Sequence, residues 1–284
     1  MQSELSAAQI AAHCTENTRQ TVALEVVAQT GSTNLDLLAR LQTPAPQAGQ
    51  PALGQPLLRP TLRRPTLLVA ERQTAGRGRA GRTWHSASDA AAGVSLTFSL
   101  AWRFARPLQD LLGLPLAVGV AIAEALEQQS VRVQLKWPND ILRDGHKLGG
   151  VLIATVSENP QQHWAVIGVG LNLAVSKELE QKIGHPVADA RWLAQQDRNV
   201  LMATLLDHLV QVLQTFEQTG MTAFVDCWNH WHAFAGKQVQ ILDQGQVLHQ
   251  GVALGVDAMG RLLLDGPDGQ VAVLAGDVSL REST

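Results

Sequence analysis

The chain has 284 residues, with 22 Lys and Arg against 25 Asp and Glu, and a net charge of −3. At 45% hydrophobic and 17% charged it has the make-up of a folded globular protein. This excludes a disordered chain, and the slight acidity argues against a general polyanion binder. Two cysteines, Cys14 and Cys227, are far apart and in no metal-binding spacing, so both are expected to be small buried apolar residues in a reducing compartment. The longest uncharged apolar runs, 90–102 and 111–123, fall short of the roughly 20 residues of a bilayer span. No signal peptide is evident, and the expectation is a cytoplasmic protein without membrane association.

In chain order, residues 21–28 have the β-branched, apolar texture of a strand. Gln29-Thr-Gly-Ser-Thr-Asn34 then precedes a helical run over 35–41, and Ser32, Thr33 and Asn34 are good helix-capping residues. Six of the 12 prolines fall in 44–65, a density no helix or central strand tolerates, so this stretch is expected as an extended surface insertion. Strands are expected over 66–71, 93–100, 131–136, 147–157 and 163–173. Asp144-Gly145 is a hairpin turn between the apolar runs that flank it. Helical periodicity covers 108–129 and 199–219, the second with Leu201, Leu205, Leu209, Val212, Leu213 and Phe216 on one face. From 236 to 281 the texture becomes short alternating strands between tight turns, as in a small barrel. The sequence therefore describes an α+β domain over 1–234 and a small β domain over 235–284.

Four segments carry chemistry. From Glu71 to Ser86, four arginines (Arg72, Arg77, Arg79, Arg82) interleave with Gly76, Gly78 and Gly81, with no carboxylate before Asp89. Gly76-x-Gly78-x-x-Gly81 formally matches a dinucleotide fingerprint, but no small-residue helix follows it. A mobile glycine backbone carrying forked arginine donors fits a loop that closes over phosphate or carboxylate; an RNA contact or a solvated loop remains open. Lys136-Trp-Pro-Asn-Asp140 leads through the hairpin to Lys147, a point charge placed just before Gly149-Gly150, or else a turn lysine facing water. In Val166-Ile-Gly-Val-Gly-Leu-Asn-Leu173 the polar Asn172 needs hydrogen-bond partners, which a nucleobase edge or neighbouring backbone could supply. His230 and His232, two apart on an expected helix, face different directions and share no metal.

Taken in order, STN, GRGRxGRxW, KWPND, KLGG and GxGxN resemble the biotin protein ligases over roughly residues 21–284. The resemblance implies a class II synthetase-like catalytic domain, a mixed sheet with flanking helices, plus a small SH3-like C-terminal barrel ending in Asp277-Val-Ser-Leu-Arg281. It implies a two-step reaction in which biotin and Mg-ATP give biotinyl-5′-adenylate and pyrophosphate, after which a lysine of the biotin carboxyl carrier protein of acetyl-CoA carboxylase attacks the adenylate. Carried over by position, Ser32, Thr33, Asn34 and Gln73 hold the biotin ring, and Arg77, Gly78 and Arg79 close over biotin and phosphate with Arg82 nearby. Lys147 contacts the biotin carboxylate and the α-phosphate, Asp140 acts near Mg2+ or the incoming lysine, and Trp84, Asn172 and Arg281 serve the nucleotide. No metal is expected to be held by protein side chains alone. Some relatives carry an N-terminal DNA-binding domain; only about twenty residues precede Val22 here, so DNA binding is not expected. The expected protein acts as a monomer or homodimer. The alternatives are a lipoate or octanoate ligase, which lacks this arginine loop, and a non-catalytic RNA-binding protein, which the net charge of −3 disfavours.

Overall fold

A computed structural model describes residues 4–42, 62–85, 95–183, 186–243, 245–267, 269–276 and 278–282. Most of the proline-rich insertion, together with Ser86 and Asp277, lies outside the described residues.

Two short helices, α1 (Ala7–His13) and α2 (Glu16–Thr21), precede strand β1 (Ala23–Thr30). Neither carries a strong periodic signal; tertiary bonds hold them. Ser6 N donates to Asn199 Oδ1, Leu5 N to Glu71 Oε1, and Thr15 Oγ1 to Asp207. Helix α3 (Thr33–Gln42) and strands β2 (Thr66–Gln73) and β3 (Ser95–Phe104) follow. Then come α4 (Leu114–Gln128), β4 (Gln134–Lys136), β5 (Asp140–Arg143), β6 (His146–Asn159), β7 (Gln162–Asn172) and α5 (Lys177–Ile183). These strands form one mixed sheet in the order β1-β2-β3-β7-β6-β5-β4, parallel only between β1 and β2.

Helix α6 (Arg198–Thr219) packs with α4 on one face of this sheet, and α3 covers part of the other. β2 is therefore buried on both faces: Leu67 and Val69 join the main core, while Leu68 meets Leu37 and Trp164 under α3. Arg40 and Arg198 are each buried against a carboxylate, Glu25 and Glu71, at 2.7 Å. The helical stretch Leu108–Gln128 is long and apolar enough to cross a membrane, although the uncharged runs alone were too short. Of its most apolar 18-residue window 67% is buried, and α4 is apolar because it packs inside the protein, with Leu116 to Ala123 all buried.

Helix α7 (Val225–His230) leads into an antiparallel sheet of β8 (Gln238–Asp243), β9 (Gln246–Val256), β10 (Leu262–Gly266), β11 (Gly269–Val273) and β12 (Val278–Glu282). Its order is β11-β10-β9-β8-β12. Trp137 donates to Gly260 O, and Asn229 accepts from Val256 N, so this sheet is bonded to the elements before it.

Two sequence expectations are corrected here. Cys14 is buried, which with nearby Asp207 pushes its thiol up to about 12, but Cys227 is exposed because the short α7 turns that side outward. His232 lies beyond the end of α7, and it is buried against Trp228 at 4.7 Å between ring centres.

Candidate functional site

A cleft of about 1070 Å³, its open mouth included, lies over the face of β3, β7 and β6. Its floor follows from the alternation of β7, where Gly168, Gly170 and Asn172 share one side. At about 3.4 Å per residue these three positions span roughly 14 Å.

At Gly168 the neighbours are polar. An added Cβ would meet Asn34 Nδ2 at 3.2 Å and Ser99 Oγ at 3.4 Å. The start of α3 is organised here: Ser32 O accepts from Asp36 N, and Thr33 N donates to Gln73 Oε1 at 2.8 Å. The helix is thus capped from β2, by a residue forty positions away, where the sequence pointed to its own Ser, Thr and Asn side chains. Thr33 Oγ1 also bonds Gln73 Oε1 and, at 2.8 Å, Ser99 Oγ. Asn34 donates to Val166 O.

Above Gly170 lies the indole of Trp84, so close that an added Cβ would fall 2.4 Å from the ring. Only glycine lets the ring rest on the strand. Trp84 arrives on a tight hairpin in which Gly78 N donates to Arg82 O, Arg77 bridges Thr83, and Trp84 N donates to Gly76 O. The glycine-arginine segment therefore opens no helix, as its sequence implied. At the tip Arg79 donates to Asn139 Oδ1 at 3.1 Å and to Gly276 O, joining the loop to the KWPND segment and to the terminal sheet. Arg82 donates back to Arg79 O.

Lys147 stands beside the floor at Gly150, where an added Cβ would lie 3.3 Å from its Nζ. Its ammonium is 2.5 Å from Asp140 Oδ1. Two backbone features aim it. Asp144 and Gly145 both take left-handed angles (φ 51° and 79°), the two-residue turn the sequence announced. A β-bulge then sets Asp140 opposite Gly150 but Leu142 opposite Lys147, leaving Leu148 as the extra residue. Without that residue Lys147 would face the other side; with it, Lys147 and Asp140 share a face. Asn172 is buried and donates to Lys147 O at 3.5 Å.

The cleft thus gathers Ser32, Thr33, Asn34, Gln73, Arg77, Gly78, Arg79, Arg82, Trp84, Asp140, Lys147 and Asn172. Arg281 is not brought in: it sits on β12 opposite Gln240, with an exposed side chain. Ser99 and Asn139 line the cleft with no assigned role in the sequence reading. Asn139 lies within the KWPND segment, which could have flagged it, whereas Ser99 is one serine in an apolar strand. Among the described residues no group of three or more His, Cys, Asp or Glu gathers, and Asp140 is the one carboxylate on the cleft wall. Lys136, next to the cleft, has its ammonium pushed below the ordinary lysine range by burial, Asp140 opposing and Lys147, Arg281 and Arg82 adding to the effect.

Residues 50–172 match the biotin/lipoate A/B protein ligase family, and residues 234–281 match the biotin protein ligase C-terminal domain. A biotin–[acetyl-CoA-carboxylase] ligase of Mycobacterium tuberculosis is 34% identical over 90% of this chain and 88% of its own. The bifunctional ligase/repressor BirA of Escherichia coli is 32% identical over 76% of this chain, and the match spans 66% of that longer protein. Among solved structures, the biotin protein ligase of Aquifex aeolicus in complex with biotin and ATP superposes with a TM-score of 0.70 at 27% identity, covering 92% of this chain and 99% of that one. The chain belongs to the biotin protein ligase family.

Proposed function

We propose that this protein activates biotin with ATP to biotinyl-5′-adenylate and transfers the biotinyl group to a lysine of the biotin carboxyl carrier protein of acetyl-CoA carboxylase. The observation that carries the reading is a two-stage succession along the cleft floor: a polar cluster at Gly168, then, two residues further along β7, an indole on Gly170 with a lysine beside Gly150 directly across on β6. That succession suits an elongated acid with a hydrogen-bonding head, a carboxylate near its middle and a nucleotide joined to it.

Ser32, Thr33, Asn34 and Gln73 would bond the ring of biotin, and Arg77, Gly78 and Arg79 would cover it. Lys147 would stabilise the negative charge that passes from the biotin carboxylate to the α-phosphate, a preorganised charge needing no solvent rearrangement. Trp84 would stack on adenine while Asn172 bonds its edge, with Arg82 and Arg281 on the phosphate side. Mg2+ would enter with the ATP phosphates, since among the described residues Asp140 is the one carboxylate on the cleft wall and is paired with Lys147. In the second step Asp140 would face the incoming lysine, which supplies the nucleophile. The reading carries with it a cytoplasmic location and action as a monomer or homodimer. Biotin-dependent exchange of pyrophosphate into ATP tests it: absence of exchange refutes the reading, and exchange supported by lipoate or octanoate instead would assign the other branch of the family.

A further inference from the structure

Arg143 is a half-buried cation on the hairpin that carries Lys147, and the chemistry above does not use it. Leu142 stands opposite Lys147 in that hairpin, so strand alternation turns Arg143 to the other side, away from the cleft. It is not among the residues that line the cleft. Its guanidinium lies over the ring of Trp192, 4.1 Å from the centroid, and donates to Asp189 O at 2.5 Å. The Asp144 carboxylate, 3.4 Å away, is largely in water and holds it weakly.

The segment that receives Arg143 is the one that borders Lys147. Strand β6 meets β7 only from Gly149 onward, so the tip of the hairpin, Lys147 included, projects past the end of β7. Residues 187–192 take the place of β7 there. Val187 forms a parallel bridge with Lys147, and Ala188 N donates to Lys147 O at 2.9 Å. The same segment is tied to the chain leaving β7, where Ala190 N donates to Leu173 O and Asp189 accepts from Val175 N. It therefore grips the hairpin at two places: the main chain of Lys147, and the Arg143 side chain reaching Asp189 and Trp192 from behind. A carbonyl that accepts from a guanidinium makes a charge-assisted bond, and an indole face attracts the same planar cation. One backbone bond alone would let the projecting tip pivot; a second attachment on the opposite side removes that freedom. The contact also gives a role to Trp192, an exposed large side chain.

We propose that Arg143 and Trp192 are positioning residues, which brace the hairpin from behind through segment 187–192 and so hold the Lys147 ammonium against the reacting carboxylate and phosphate. The inference rests on the adenylating reading given above. The brace touches neither substrate and exchanges no proton with them; it acts through Lys147.

The test is the single-turnover rate of adenylate formation at saturating biotin and ATP. Arg143→Gln and Trp192→Ala should each slow it about fivefold or more, since small misplacements of a catalytic group are costly. The double variant should be no slower than either single one, because both remove the same contact. Trp192→Phe, which keeps an aromatic face, should recover most of the rate, and Trp192→Leu should not. In a Lys147→Ala background the same substitutions should change the residual rate by less than about twofold, the lysine they position being gone. Trp192, an exposed residue, decides the matter should Arg143→Gln not fold. Unchanged rates in the folded variants, or equal slowing with and without Lys147, would overturn the inference and leave the ligase reading standing. No biotin-dependent adenylate in the parent would instead remove the ligase reading itself.

Discussion

His232 offers a measurement independent of any ligand. Its ring is buried with neither nitrogen bonded among the described residues, and burial pushes its pKa from 6.5 down to about 4. In the unfolded chain the imidazole takes up a proton near its ordinary value, so below that pH the unfolded state binds more protons than the folded one. The folded pKa is the lower one, so nothing is lost at neutral pH and stability falls as pH drops from about 6.5 towards 4. A gap of about 2.5 units is worth roughly 3.4 kcal/mol once both states are protonated, of which about 2 kcal/mol is already gone at pH 5. Urea unfolding of the parent and of His232→Phe at pH 7 and pH 5 isolates this contribution, because every other titrating group is common to both proteins. The parent should lose about 2 kcal/mol more than the variant between the two pH values. Parallel losses would show that His232 is solvated or finds a partner on protonation, and would refute the reasoning.

Three further outcomes are expected. Gly170→Ala puts a methyl 2.4 Å from the Trp84 ring, where carbon contacts need about 3.5 Å or more, so the ring must leave the strand. A lost stacking contact of about 1–3 kcal/mol should raise KM for ATP roughly 5- to 150-fold in the exchange assay, and an unchanged KM would deny the indole its place at the nucleotide. Lys147→Ala should slow adenylation about tenfold or more, about 1.4 kcal/mol at the barrier, and unaltered single-turnover rates would reduce it to a turn residue. Arg198→Met leaves the Glu71 carboxylate without its buried partner and should cost about 3 kcal/mol in chemical denaturation, whereas a loss below about 1 kcal/mol would mean that water solvates Glu71.

What the amino-acid order revealed was whatever is written locally. The Asp144-Gly145 turn, the leucine face of α6 and the glycine-arginine run are all visible within a few residues of chain. What stayed hidden depends on partners far away. Helices α1 and α2, of 7 and 6 residues, are too short for periodicity to show and rely on Asn199, Glu71 and Asp207. Ser99 matters because Thr33 bonds it across 66 positions, and nothing around Ser99 announces that. Cys227 was misjudged because composition speaks of a residue type, whereas exposure depends on which side of a short helix it occupies. Arg281 was placed by family position, yet its strand pairing keeps it off the cleft wall.

The bulge at Leu148 makes the site sensitive to spelling as well as to residue identity. Removing His146 would keep the lysine, the aspartate and the turn, and would still carry the ammonium to the far side of the sheet. Such a chain would fold around the same core and look intact by composition, while Lys147 pointed away from the cleft. The spacing from the turn to the paired glycines is thus itself a functional element, and a single-residue deletion there is the mildest change that separates having the catalytic lysine from using it.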